Sequence, residues 1–261
     1  EFEELEQQDE ENRKAVKELA EKSLQSGNGM TLRERFLRTM HYQEVDKIPN
    51  FEFGYWAKTL EKWRAQGGLP EWVVNEKTAY EYFGIEHYYS APINPRIRGI
   101  REWEMIEETE TTKTYIDNLG VKAQNITHGD ESIPHYLDYP VKDRDSWQPY
   151  KEELQNLEGR YPEDWDELVD SYKKRDYPLG INIGSLIGLA RNLIGFENIA
   201  LMVYMEPDLL EEIVEDFTVC IERTIAPALK QVRFDFAAGW EDIAFNSGPI
   251  VGVPFFETVL K

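Results

Sequence analysis

The chain has one cysteine, Cys220, so no disulfide can form within it. Its four histidines, His41, His87, His128 and His135, show no HxxxH spacing, and there is no CxxC. The short signatures of a local metal site are missing. Bases are also scarce: 29 Lys and Arg face 50 Asp and Glu, a formal charge of −21. That charge repels nucleic-acid phosphates and anionic membrane surfaces, and it disfavours a highly anionic substrate unless a local basic pocket overrules it. The plainest reading of the acidity is solubility. No signal peptide is visible, and the longest weakly charged apolar run, "LGINIGSLIGLA", is too short to span a bilayer. A cytoplasmic chain is expected.

What is present is a chain of 261 residues, 41% hydrophobic, enough for one large domain of the size usual for an α/β barrel. It opens at Glu1 and stops at Lys261, just as "PFFETVLK" begins an apolar helix, so a longer parent protein is expected. Residues 1–29 read as a polar helical arm ended by "SGNG", and 30–261 as the folded domain. "TLRERFLRTMHYQ" starts with a capping box, Thr31 with Glu34, and places Leu32, Phe36, Leu37 and Met40 on one face. "KIPNFEFGYW" reads as a short strand, and "AKTLEKWRAQ" and "NEKTAYEYFG" as helices. Residues 97–127 look like an antiparallel meander, an insertion rather than a barrel unit. The sequon Asn125-Ile126-Thr127 within it reads as chance.

Polar helices are expected over 143–156 and 163–175. "PLGINIG" then reads as a strand, "SLIGLARNLIG" as a helix capped by Ser185, and "FENIALMVYM" as another helix. "EPDLLEEIVEDFTVCIERTIAPALK" is the clearest helix, with Ile213, Phe217, Cys220 and Thr224 on one face; Cys220 is expected in the core. "VRFDFAAG" reads as a buried strand. Strand–helix alternation in this half predicts an α/β fold with parallel strands, whose chemistry gathers at the C-terminal strand ends.

Three stretches sit at such ends. "WEDIAFNSG" carries Glu241, Asp242 and Asn246; a turn of helix from Asp242 would put Asn246 on the same face, where an amide orients a carboxylate acting as general acid or metal ligand. The alternative is an Asp helix cap. "NFEFGYW" carries Glu52, Tyr55 and Trp56, an acid with two aromatics suited to an uncharged or cationic organic ligand, or else a mixed core strand. "GINIGSLIG" has glycines at 180, 184 and 188, a spacing that fits neither nucleotide-binding loop and implies close backbone packing. It points Asn182 or Ser185 toward a barrel mouth.

In order, "TLRERFLRTMHYQEVDKIPNFEFG", "YFGIE", "DNLGVKAQ", "YPVKDRDSW", "PLGINIGSLIGLARNLIGFENIALMVYMEPDLLEEIVEDF" and "WEDIAFNSGPIVGVPFFETVL" together resemble the uroporphyrinogen decarboxylase-like superfamily over residues 31–261. The resemblance implies a TIM (β/α)8 barrel, incomplete here, with the arm and the meander added. True decarboxylases of that superfamily carry an Arg-Gln-Ala-Gly-Arg stretch on the first strand; this chain has "FEFGYW", and Glu52 has the wrong sign for a poly-acid substrate. By elimination the resemblance favours the methyltransferase branch, which moves methyl groups between a small methylated compound and a corrinoid (cobalamin) carried by a partner protein. On that reading Asp242 or Glu241 is catalytic, and Glu52, Tyr55, Trp56, Asn182, Ser185 and Asn246 line the substrate site. Zinc is frequent in the branch, but no ligand set is identifiable here; Asp242 and Glu257 are the acids at hand. Two other readings stay open. One is a carboxy-lyase, for which Arg96, Arg98 and Arg101 are the nearest basic cluster, read as a solvated strand face. The other is a non-catalytic barrel subunit. A homo-oligomer is an open expectation.

Overall fold

A computed structural model describes residues 29–127 and 133–261. The expected N-terminal arm, up to residue 28, and His128 lie outside the described residues. Helices α1 (Leu32–Met40), α2 (Ala57–Ala65) and α3 (Glu76–Phe83) come first. Strands β1 (Tyr89–Ser90), β2 (Glu104–Glu108), β3 (Thr112–Ile116), β4 (Lys122–Ile126) and β5 (His135–Asp138) follow. Next are α4 (Arg144–Gln155), α5 (Trp165–Tyr172) and β6 (Leu179–Gly184). Then come α6 (Ile187–Ile194), α7 (Phe196–Met205) and α8 (Pro207–Leu229). The chain closes with β7 (Phe236–Gly239), β8 (Ala244–Phe245), β9 (Gly248–Pro249), α9 (Val253–Phe255) and a π-helical turn, Phe256–Leu260. The fold is mixed α/β, with one sheet ordered β1–β6–β7 and one antiparallel sheet ordered β2–β3–β4–β5.

The chain divides into two compact units. One holds the described residues up to Ala91, with Asp166–Gly180 and Phe234–Phe236; the other holds Pro92–Trp165, Ile181–Arg233 and Ala237–Lys261.

In the first unit, Thr31 caps α1 by accepting from the Glu34 N–H at 3.1 Å. Only half of the expected capping box forms, because Glu34 turns to Arg38 instead, at 3.0 Å. The buried positions of α1 are Arg35 and Arg38, while Met40 is exposed. Arg35 sits between Asp46 at 2.7 Å and Glu86 at 3.0 Å, so ion pairing decides this helix's inward face more than apolar spacing does. The strand expected at 48–54 is absent. Pro49 has no N–H, and only Asn50 exchanges a backbone bond with Glu86, so no ladder propagates. The strand that pairs with β6 is β1, parallel, with Tyr89 opposite Leu179 and Ser90 opposite Gly180. Asp235 then donates its backbone N–H to the Leu179 carbonyl at 2.8 Å.

In the second unit the Trp240 N–H donates to the Gly184 carbonyl at 3.1 Å, the same forward direction along both segments. β7 is half-exposed rather than buried. The β1–β6–β7 sheet is a three-stranded piece, and no closed barrel is present among the described residues. The meander is present and extends to Asp138. Asp143 and Ser146 form the capping box that starts α4. Arg98 is no solvated strand residue: it pairs with Glu153 and donates to the Asn156 and Glu158 carbonyls.

The core of this unit gathers Trp147 and Tyr150 from α4, Ile187, Ala190 and Leu193 from α6, and Ile213, Phe217 and Cys220 from α8. Cys220 is 1% exposed, as its helical face implies, and burial pushes its thiol up. Tyr150 stacks on Trp147 with centroids 5.9 Å apart and donates its hydroxyl to the Leu119 carbonyl at 2.5 Å. Burial pushes this phenol up to about 12. Between the ordinary value near 10 and that figure, the unfolded chain has lost the proton and the folded one keeps it, so stability falls as pH rises. Equilibrium urea unfolding from pH 9 to 12 is expected to show that decline, and Tyr150→Phe is expected to flatten it.

Candidate functional site

β7 carries the chain to Trp240, and the loop behind it folds back onto the start of α6. The Glu241 carboxylate accepts three hydrogen bonds there. Oε1 takes the Ser185 hydroxyl at 3.0 Å and the Gly188 N–H at 2.8 Å, and Oε2 takes the Leu186 N–H at 2.8 Å. Free N–H groups at a helix N-terminus, with their partial positive charge, favour a carboxylate at this spot. Ser185 is therefore not the N-cap that its sequence position suggests. The cap residue is Leu186, which has no side-chain acceptor, and Glu241 supplies the acceptor from a distant loop.

Gly188 is required by the same contact. A Cβ there would lie 2.4 Å from the Ser185 hydroxyl oxygen and 2.7 Å from the Trp240 ring. Gly180 likewise faces the Phe236 ring, at 2.3 Å from a would-be Cβ. The glycines of "GINIGSLIG" thus serve close packing, as their spacing implied.

One turn further along α6, Arg191 lies over the Trp240 ring, 5.7 Å from its centroid, and its Nη1 bonds Asp242 Oδ2 at 2.8 Å. Arg191 also lines a cavity of about 440 Å³. Asp117, Leu119 and Val121 from the β3–β4 turn, Tyr136 and Tyr139 from and after β5, and Asn192 and Phe196 complete much of its wall. Asp117 is held as a turn residue, accepting the Leu119 and Val121 N–H groups at 2.9 Å each. Tyr139 packs on Gly195, where a Cβ would lie 2.5 Å from its ring. Gly195 takes φ +90, a region that favours glycine. Burial pushes the Tyr139 phenol up and Tyr136 adds to this, while Arg191 pulls the other way.

The site residues expected from sequence divide between the two units. Asn182, Ser185, Glu241, Asp242 and Asn246 belong to the second, and Glu52, Tyr55 and Trp56 to the first. Asn182 accepts from the Gly184 N–H at 2.8 Å. Asn246 occupies the two-residue turn of a β8–β9 hairpin, in which Phe245 pairs with Gly248. No helix begins at Asp242, so Asn246 is not stacked one turn above it. In the first unit, Glu52 bonds the Phe53 N–H, Trp56 is largely exposed, and Tyr55 sits among Trp63, Tyr80 and Phe83 with centroids 5.5 to 6.2 Å away. Sequence reasoning missed Arg191, Tyr136 and Tyr139. Their only trace was the cation in "GLARNLIG" and a Tyr-rich strand after the meander.

Among the described residues, no three His, Cys, Asp or Glu side chains gather as metal ligands. No zinc site is assigned among the described residues. No helix among the described residues is long and apolar enough to cross a membrane. No family model and no curated protein matches the chain. A solved structure described as a methyltransferase from Methanosarcina mazei is similar to it, with 16% identity and a TM-score of 0.43. That similarity covers 88% of this chain and 64% of the other, so this chain spans less than two thirds of that protein's length.

Proposed function

We propose that the chain is part of a methyltransferase that moves a methyl group between a small methylated compound and a corrinoid held by a partner protein. The methyl-transfer part rests on the resemblance of its sequence segments. The observation that carries the siting is the bond of Asp242 to Arg191 on the cavity wall, because it joins the loop after β7 to a space of ligand size. The three parallel strands are proposed as part of a (β/α) barrel, with this loop on its functional face.

The two acids take different parts. Glu241, bound by three donors, holds the start of α6 and with it the position of Arg191. Asp242 bonds Arg191 only through Oδ2. As an ionised carboxylate in that pair it carries no proton of its own; Oδ1 relays one from solvent to the oxygen or nitrogen that the methyl group leaves, which that atom needs in order to depart, and then returns to its paired form. A corrinoid, bound on its partner protein, would supply the nucleophile that takes the methyl group. Asn182, Ser185 and Asn246 of the second unit remain proposed contacts to donor or partner; for Glu52, Tyr55 and Trp56 of the first unit such a contact is a separate proposal.

The test is anaerobic incubation with a methyl aryl ether or a methylamine and a corrinoid protein, followed by the corrinoid absorbance. Asp242→Asn is expected to lower turnover by ~10²-fold or more. Its stability should change by less than about 1 kcal/mol, because the ion pair is exposed. Full turnover by the Asp242→Asn variant would remove Asp242 from the reaction. Conversion of uroporphyrinogen to coproporphyrinogen by the wild-type protein would overturn the methyltransferase reading in favour of the carboxy-lyase.

A further inference from the structure

The cavity of the second unit has a chemical character that its volume alone does not convey. One wall is a guanidinium. Among the described residues Arg191 has a single protein acceptor, Asp242, and reaches it through Nη1. Among the described residues, Nε and Nη2 have no protein acceptor. These two N–H groups form one planar edge of the guanidinium, whose spacing matches the two oxygens of a carboxylate. The Trp240 ring covers a face of the same group and, with Asp242, limits how it can turn. An edge restrained in this way loses less entropy on binding than a free arginine would.

Three of the remaining wall residues are aromatic, beside the aliphatic Leu119, Val121 and Ile133. Tyr136 and Tyr139 have ring centroids 6.0 Å apart, and Phe196 stands beside Phe245 at 5.9 Å. Among the described residues, neither tyrosine hydroxyl has a protein hydrogen-bond partner. Burial keeps the Tyr139 phenol protonated well above neutral pH, so it is a donor there. Asp117 Oδ1 is committed to two N–H groups of its own turn, and among the described residues Oδ2 has no protein donor. Among the described residues, the groups left unpaired on the wall are the cationic edge, the two phenols, the Asn192 amide and Asp117 Oδ2, set among aromatic and aliphatic faces. At about 440 Å³ the space suits a one-ring molecule, near the small end of ligand pockets.

We propose that this cavity binds a small aromatic carboxylate, its carboxylate on the Nε/Nη2 edge of Arg191 and its ring against Tyr136, Tyr139 and Phe196. The proposal deepens the methyl-transfer reading and rests on it for the cavity's place in the reaction; it names the substrate class as a one-ring aryl acid. It also explains how a chain of charge −21 admits an anion, since the local field at Arg191 opposes the global one.

The test is binding, read separately from turnover. Isothermal titration of the wild-type protein with benzoate, 4-methoxybenzoate, benzamide and benzylamine asks whether charge sign matters. The two carboxylates are expected to bind at least tenfold more tightly than the amide, and the amine not at all. Arg191→Gln is expected to cost benzoate tenfold or more while leaving benzamide unchanged. Arg191→Lys, which keeps the charge and loses the planar edge, is expected to recover only part of the loss. Equal affinity for benzoate and benzamide on the wild-type protein, which needs no variant, overturns the proposal. So does an Arg191→Gln variant that folds and still prefers benzoate. Benzoate binding with that preference but without methyl transfer sustains the ligand assignment and removes the methyltransferase reading. Turnover of neutral ethers only does the reverse.

Discussion

Replacing Asp235 by alanine is expected to destabilise the first unit by about 3–5 kcal/mol, the usual cost of stripping one partner from a buried ion pair. Asp235 is 1% exposed, and its carboxylate serves three groups. Arg33 at the start of α1 meets Oδ1 through Nε and Nη2 at 2.9 Å each. Arg175 meets Oδ2 through Nη2 at 2.9 Å, and the Leu179 backbone N–H meets the same oxygen at 3.0 Å. Arg175 is itself 3% exposed, and burial is the main force lowering its affinity for a proton. Without Asp235 the Nε and Nη2 groups of a buried guanidinium, which keeps the Tyr172 carbonyl on Nη1, and the first N–H of β6 lose this acceptor together. Asp235→Asn keeps the shape but not the charge, and should recover only part of the loss. The pairing itself need not be a net gain, because both ions were drawn out of water. The double variant Asp235→Leu with Arg175→Met is therefore expected to be clearly more stable than Asp235→Ala. Urea unfolding midpoints for the variants check this. A single-variant loss below about 1 kcal/mol would mean that Arg175 finds solvent without Asp235.

Glu241→Gln should cost about 1–3 kcal/mol, whereas the same isosteric exchange at its neighbour Asp242 should cost about 1 kcal/mol or less. From sequence alone, amide exchange at either acid looks mild, since Asn caps a helix as well as Asp. The structure separates them. Both Glu241 oxygens accept from backbone N–H groups. A glutamine offers one oxygen, and its amide nitrogen would face a donor. The Leu186 and Gly188 N–H groups at the start of α6 cannot both be satisfied, and the charge that complements the helix end is gone. Asp242 faces solvent and gives up one exposed pair. The two variants can be compared by thermal or urea unfolding, with the helical signal as readout. A Glu241→Gln variant as stable as wild type would show that Ser185 takes over the cap. Gly188→Ala probes the same junction from the other side. It places a methyl group against Ser185 and Trp240, an overpacking that typically costs about 1–3 kcal/mol.

Much of the architecture was legible. α4, α6, α7 and α8 appear where apolar spacing and turn residues put them, and Cys220 lies in the core with Ile213 and Phe217 as its helix face requires. The meander was legible because alternating β-formers split by "DNLG" are a local signal. The strand at 48–54 was misread because aromatic content there suggested a strand, while pairing needs a partner edge that Pro49 and its neighbours do not find. Asp242–Asn246 was misread because "NSG" also suits a tight hairpin turn, and the hairpin forms.

What the sequence alone determined is what neighbours along the chain decide: the helices, their apolar faces, the antiparallel meander, and the close approach that the glycines at 180 and 188 permit. What only the tertiary structure decided is where the charges go. Glu241 caps a helix 53 residues before it, Asp235 joins Arg33 across 202 residues, and Arg191 meets a cavity and an acid 51 residues apart. The physical reason is that hydrophobic burial and turn chemistry repeat with the period of the element that carries them. An ion pair or a capping carboxylate has no period: its partner is chosen by the desolvation and geometry of the finished fold.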